Sequence, residues 1–387
     1  MMLINLPLRS EVFGALKIYD TMKVVNLFGF GRGFSQSLSL SSFKELEEVM
    51  QSTAIVVPVK NEDLSIFEKV LKAVPYDSPL IIVSASNTYP LNVFNEERSI
   101  VRNIYRHTGR VVLHLHQRDP VLAEFLSEVF PEIIDENGLV KYGKGEAMLL
   151  GTLVADAVRA KYVGFVDADN LIPGSVTEYV LIYYTILSLS ESKYTTVRVH
   201  WGYKGWADGE LFLRRMGRVS RLVSGLFNKM LSKGRLHETD IVKTSNSGEH
   251  AMSIDLARII GFSSGFSVEA GELVKMLELC YAGLEKGVCP TLPEAIEYYQ
   301  VESLNPHIHA VKGEHHIFEM VAESLGTLYY SELSDQELKE SIVKTLRDLG
   351  LSEEPPKPTY YSYPDINPRR MLDELQARSK MTTILGM

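Results

Sequence analysis

The chain has 387 residues, with 49 acidic against 40 basic side chains and a formal net charge of -9. That length suits one large α/β domain with an appended piece, or two domains, and the acidic balance excludes a general attraction to nucleic acid or an anionic membrane surface. A bound phosphate must therefore be met by a local cluster of donors. The two cysteines, Cys280 and Cys289, have no second pair to complete a zinc site and are expected to be reduced thiols. The opening MMLINLPLRSEVFG lacks a basic segment followed by a sustained apolar run, and no stretch approaches the roughly 18 apolar residues of a membrane span. A soluble, cytoplasmic protein with no membrane or nucleic-acid partner is expected.

The first fifty residues carry a strand-like MKVVNLFGF and a capped helix SSFKELEEV, which extend a sheet or cover its edge. From about residue 53, short β-branched runs alternate with amphipathic stretches, the pattern of a mostly parallel, Rossmann-like sheet with helices on both faces. TAIVVPV (53–59), PLIIVSAS (79–86), RVVLHLHQ (110–117) and KYVGFVD (161–167) read as buried strands. The spacing predicts helices over 62–74, near 94–107, near 119–130 and from Gly145 to Ala160. A helix near 174–190 leads to the strand TTVRVHW (195–201), followed by a helix near 208–232 and the polar TSNSGEHAMS. Helices near 269–286 and 314–326 flank the strand-like EYYQVES (297–303). The tail holds an amphipathic helix in SDQELKESIVKTLRDLG, the proline-rich EEPPKPTYYSYPDINP, and a final helix expected to end at Met387.

Asp167-Ala168-Asp169, with Asn170 next, closes the KYVGFVD strand. Two carboxylates just beyond a strand suit a magnesium or manganese ion, which takes oxygen ligands and leaves positions for substrate phosphates. The same residues also fit a plain strand end that caps the following helix. Val57-Pro58-Val59-Lys60-Asn61-Glu62 and Ser84-Ala85-Ser86-Asn87 end neighbouring strands, at the edge where open α/β sheets bind ligands. Gly143-Lys144-Gly145 opens the long helix before the acid triplet, where backbone amides and an ammonium favour an anion. His307 and His309 share one side of an extended segment, and a neutral imidazole there completes a metal shell or serves structure. Gly217-Arg218-Val219-Ser220 reads as a fork for phosphate or carboxylate, or as a solvated basic helix face. Glu249 and His250, in Ser-Gly-Glu-His, lie near a reacting group or form a loop hydrogen-bonding knot.

Taken in order, VPVKNE, VSASN, HQRDP, GKGEAM, DADN, GRVS, SGEHAM and NPHIH resemble the mannosyl-3-phosphoglycerate synthases, over about residues 50 to 320. The resemblance implies a retaining glycosyltransferase with an A-type nucleotide-sugar fold, GDP-mannose as donor, 3-phosphoglycerate as acceptor, and a homodimer. It implies a divalent cation, Mg2+ first with Mn2+ or Co2+ as alternatives. On this pattern residues 1–50 form an extension packed on the sheet, 51–200 a nucleotide-sugar region, 201–330 an acceptor and catalytic region, and 331–387 a helical arm. Pro58, Val59, Lys60, Glu62, Ser86, Asn87, Gln117, Lys144 and Asp167 would line the nucleotide-sugar pocket. Asp169 would hold the metal with His307 or His309, and Glu249 would stand near the sugar. Gly217, Arg218 and Ser220 would hold the acceptor, with Lys141 added from its position. The runner-up is a glucosyl-3-phosphoglycerate synthase, in which a threonine stands where this chain has Ser220. An aspartyl-phosphate hydrolase fits less well, because Asn170-Leu171 follow the triplet where that class has threonine. A nucleotidyltransferase would show a glycine-rich opening near the N-terminus, which this sequence lacks, and a non-catalytic nucleotide-sugar sensor is separated by a test of multiple turnover.

Overall fold

The computed structural model describes residues 2–27, 37–38, 43–203, 206–207, 210–211, 217–233, 235–282, 294–309 and 314–387. Cys289, the Ser41-Ser42 cap, Phe28 to Phe30 and the basic run through Arg214, Arg215 and Met216 lie outside the described residues.

Alternation within the strands decides the layering. In Thr53–Val59, Val56 faces one apolar cluster with Ile81, Leu113 and Val163, while Ile55 and Val57 face another with Ile82 and Val112. Both faces must be covered, and helices do it, as parallel sheets require. The helix Lys144–Ala157 packs through Met148 and Leu149 on the first face; Pro173–Leu189 packs through Tyr179 and Tyr183 on the second. A Cβ on Gly151 would lie 2.4 Å from a Val56 methyl carbon, so glycine sets how closely that helix meets its strand.

Among the described residues the sheet has 13 strands. Leu80–Ser84 and then Val112–His116 lie to one side of Thr53–Val59, and Tyr162–Phe165 lies to the other, all parallel. The chain therefore leaves Thr53–Val59 in one direction and returns on the opposite side, which opens a crevice at the carboxyl ends between Val59 and Phe165. His250–Ser253 next inserts antiparallel between Tyr162–Phe165 and Thr195–Trp201, and Ile296–Ser303 continues parallel beyond. The amino-terminal strands Leu16–Tyr19 and Met22–Asn26 pair with Ile296–Ser303, so the expected extension is part of the sheet.

Two expectations need correction. The chain end is no helix: Pro368–Arg378 is the last one, and Thr382–Leu385 forms an antiparallel edge strand on Val112–His116. Asp119 secures it by accepting from Thr382 Oγ1 at 2.9 Å and from Ser379 Oγ. The predicted helix near 208–232 begins only at Arg218; ahead of it Trp206–Ala207 pairs with Glu210–Leu211.

Burial holds the imidazoles of His114, His116 and His200 below the usual histidine pKa. The unfolded chain takes up their protons near pH 6.5 while the native one does not, so their favourable contribution is present above that pH and is lost as pH falls. The thermal midpoint is expected to hold level from pH 8 to 7 and to drop from about pH 6.5 toward 5, by scanning calorimetry; a midpoint that rises over that interval contradicts this account.

Candidate active site

The carboxyl edge is knitted by short polar bonds before any ligand is considered. Asn61 adopts a left-handed φ of 55°, which asparagine tolerates. Its amide donates to Ser86 Oγ at 2.7 Å and its Oδ1 accepts the Asn87 amide at 2.8 Å. Ser86 is buried and donates onward to Glu97 at 2.5 Å. Its hydroxyl is thus committed to joining two strand ends, while Lys60 and Asn87 are exposed beside it. Gln117 is likewise buried and donates to the carbonyls of Lys141, at 2.6 Å, and Gly143, at 3.2 Å. Pro58, Val59 and Glu62 sit at the same strand end, Val59 buried and the other two half-buried. The Lys141 ammonium donates to the Glu132 carbonyl at 2.8 Å.

Gly143 is the N-cap of Lys144–Ala157, with no side-chain cap of its own, and the first-turn Glu146 carboxylate accepts from the Gly265 amide at 3.1 Å and the Tyr361 hydroxyl at 2.8 Å. The Lys144 ammonium lies 2.7 Å from Asp167 and 2.8 Å from Glu269. Burial by itself lowers this ammonium, but the two carboxylates outweigh it and hold its pKa well above the lysine range. Glu269 begins the helix Val268–Leu277 and was not among the residues singled out from sequence. The loop before His250–Ser253 passes close by: a Cβ on Gly248 would lie 2.1 Å from Asp167 Oδ2 and 2.8 Å from the Lys144 ammonium. A side chain there would have to displace the ends of Asp167 and Lys144, whose ion pair glycine leaves undisturbed.

Beyond the strand Tyr162–Phe165, Asn170 is the joint of the site. Its backbone bridges antiparallel to His309, and the Leu171 amide donates to the Ile308 carbonyl at 2.8 Å. Its side-chain amide donates to Glu249 Oε1 at 2.9 Å and to the Asp167 carbonyl at 3.1 Å. The Asp-Ala-Asp-Asn and His-Ile-His runs, about 140 residues apart in sequence, are thereby laid side by side. Glu178 fixes the approach of the second run, accepting the Leu304 amide at 2.5 Å and the Asn305 amide at 2.8 Å.

The two histidines separate in kind. His307 is buried, stacks on Trp201 with centroids 4.3 Å apart, meets the Tyr179 hydroxyl through Nδ1 at 3.2 Å, and lies 4.0 Å from Glu249. His309 is half-buried, with its ring centroid 5.5 Å from that of His307. Asp169 is 8% exposed, whereas Glu249 is wholly buried. Among the described residues, no group of three His, Cys, Asp or Glu side chains is arranged to hold a metal ion. The donor set is a carboxylate beside an extended, imidazole-bearing segment, which suits a hard cation that draws its remaining ligands from phosphate and water.

Gly217 is the N-cap of the helix Arg218–Ser232, which lacks a side-chain cap. Ser220 Oγ donates to the Asn246 carbonyl at 2.8 Å, tying this helix end to the Ser-Gly-Glu-His loop. The Arg218 side chain lies outside what the structure describes. Sequence reading also passed over Tyr142, which is exposed at the crevice edge with the Arg118 guanidinium 4.7 Å and the Lys60 ammonium 5.3 Å from its ring centroid. An aromatic one residue ahead of Gly143-Lys144 was the available signal.

Lys144→Met would leave Glu269 and Asp167 without their shared cation. A loss of about 3 kcal/mol is expected, at the low end for a broken buried pair because Asp167 is partly exposed. Since the native ammonium titrates above its unfolded value of about 10.4, the loss measured by urea unfolding should be the same at pH 6 and pH 9. A difference that vanishes by pH 8 would contradict the assignment.

The family model described as mannosyl-3-phosphoglycerate synthase (osmo_MPGsynth) matches residues 6–375. A mannosyl-3-phosphoglycerate synthase of Aeropyrum pernix is 45% identical over 380 residues, covering 98% of both chains. One of Pyrococcus furiosus is 40% identical over 364 residues, covering 92% of both. Among solved structures, glucosyl-3-phosphoglycerate synthase of Mycobacterium tuberculosis in complex with Mn2+, UDP and glucosyl-3-phosphoglycerate superposes with a TM-score of 0.51 at 20% identity, over 76% of this chain and 86% of that one. The same enzyme with Mn2+, UDP-glucose and glycerol 3-phosphate gives 0.50 at 19%, over 79% and 88%. At that identity the superposition establishes the fold, the A-type glycosyltransferase architecture. The near full-length match at 45% identity goes further: this chain is a glycosyltransferase and belongs to the mannosyl-3-phosphoglycerate synthase family.

Proposed function

We propose that the chain transfers mannose from GDP-mannose to 3-phosphoglycerate with retention at the anomeric carbon, giving mannosyl-3-phosphoglycerate for mannosylglycerate synthesis. The observation that carries this reading is the junction at Asn170, which joins the acid triplet, Glu249 and the His-Ile-His run. Lys60, Glu62 and Asn87, with the backbone at Pro58 and Val59, are assigned to the base and ribose side. Ser86 and Gln117 act from beneath, Ser86 as a tie between strand ends and Gln117 as a tie to the loop that opens the helix Lys144–Ala157. Tyr142 offers a face for the base. Asp167, held by Lys144, is assigned to the ribose, and the ammonium with the first-turn amides to the diphosphate.

Asp169 and His309 would hold the divalent cation; when bound, it supplies positive charge to the departing diphosphate. His309 is preferred because His307 is committed to Trp201 and Tyr179. Gly217, Arg218 and Ser220 are assigned to the acceptor, at a helix N-terminus that favours its anionic groups. Lys141 has weaker support in that role, its ammonium being occupied at Glu132.

Complete burial of Glu249 favours same-face attack over double displacement, since a nucleophile must reach the anomeric carbon. In same-face attack the acceptor hydroxyl gives its proton to the leaving diphosphate as the new glycosidic bond forms on the side just vacated. Glu249 then acts by orienting Asn170 and by its negative charge near the oxocarbenium-like centre.

Incubation with GDP- and UDP-sugars, 3-phosphoglycerate and Mg2+, with mass detection of the phosphorylated glycoside, should show the mannosyl product from GDP-mannose with many turnovers per protein. Preference for a glucose donor would falsify the sugar assignment and leave the fold untouched. In the same assay Asp169→Ala is expected to abolish transfer, and His309→Ala should lower kcat/KM more than His307→Ala does at equal melting temperature. The reverse order would return the metal role to His307. Gly248→Ala, by crowding Asp167, is expected to lower kcat/KM at least about tenfold; unchanged kinetics would show that the loop has room to yield.

A further inference from the structure

We infer that Arg198 is a positioning residue for transfer: it ties the helix that carries Glu269 to the loop ahead of Glu249, and thereby fixes where Lys144 points. The inference rests on the transferase reading above. Arg198 stands between Val197 and Val199 in the strand Thr195–Trp201 and is 0% exposed. Removing a guanidinium from water is costly, and an apolar side chain of similar volume commonly fills such a place without loss of stability. The charge therefore needs a reason other than packing.

Its planar fork is divided among three acceptors. Nη1 donates to the Ser245 carbonyl at 2.5 Å, and Nη2 donates to the Glu269 carbonyl and to Glu272 Oε2, each at 2.7 Å. A lysine, with one compact ammonium, cannot span all three. Each acceptor belongs to a segment that ends at the site. The Glu269 side chain holds Lys144, which holds Asp167. Ser245 precedes the Gly248-Glu249 turn, and its neighbour Asn246 accepts from Ser220 at the start of the helix Arg218–Ser232. Glu272 also lies 3.3 Å from Nε2 of His250, whose Nδ1 meets the Ser247 carbonyl at 2.8 Å. One buried cation thus sets the spacing between the support of Lys144 and the loop bearing Glu249. With no exposed surface it acts through these groups and touches no substrate.

Arg198→Lys, Glu269→Gln and the double variant would be compared with the native chain, using GDP-mannose, 3-phosphoglycerate and Mg2+, with kcat and both KM values measured beside the melting temperature. Arg198→Lys is expected to melt several degrees below the native protein, since buried acceptors lose donors, and, assayed well below its melting temperature, to lose about tenfold or more in kcat, as small misplacements do. In the Glu269→Gln background the same change should cost far less, because the route to Lys144 is already cut. Native kinetics in folded Arg198→Lys, or losses that multiply fully in the double variant, would overturn the inference. Should Arg198→Lys not fold, Glu272→Gln replaces it in the cycle, with the same expected and overturning results. Absence of product from the native chain would defeat the transferase reading itself; native turnover with an unaffected Arg198→Lys defeats the positioning role alone.

Discussion

The Lys144 ammonium, 2.7 Å from Asp167 and 2.8 Å from Glu269, joins three parts of the chain at one point. It sits on the first turn of one helix, Asp167 follows a central strand, and Glu269 starts a helix from the second half. A mostly buried cation is tolerable there only because both partners are anionic and near, and that requirement fixes each in place. Gly248 then admits the Glu249 loop into the remaining space.

The antiparallel insertion of His250–Ser253 serves the same end. It places the Ser-Gly-Glu-His run at the carboxyl end of Tyr162–Phe165, with His250 opposite Phe165. A parallel strand in that position would send its carboxyl end, not its start, to this edge. Reversing one strand therefore delivers a loop from the second half to the crevice that the first half opens between Val59 and Phe165. Asn170 completes the junction through bonds to Glu249 and the His309 bridge.

Buried polar groups form most of the framework under the site, and they differ in what they leave accessible. Ser86, Gln117, Glu178 and Arg198 spend their hydrogen bonds on backbone or side-chain neighbours, whereas Lys60, Asn87 and Tyr142 remain exposed at the rim. Such a division gives a rigid base with an adaptable edge, which suits a site that must bind two anionic substrates and release a diphosphate.

The sequence by itself determined the parallel strand and helix alternation from residue 53 to 201, because apolar periodicity and β-branching are local properties that buried strands cannot do without. It also marked Lys60, Asn87 and Asp167 as strand-end candidates, because polar residues close successive apolar runs there, and the parallel pairing of those strands brings the three ends to one sheet edge. The terminal Thr382–Leu385 strand escaped that reading, because four residues carry little period and their conformation comes from pairing with Val112–His116. The partners of Lys144 and Arg198 escaped it too. Glu269 stands 125 residues from Lys144 and 71 from Arg198, and it reads as an ordinary helical acid. Only tertiary structure could distinguish His307 from His309, for Trp201 and Tyr179 reach His307 through the sheet and the helix above it. Local pattern records which faces must be buried, and folding alone decides which charges then meet.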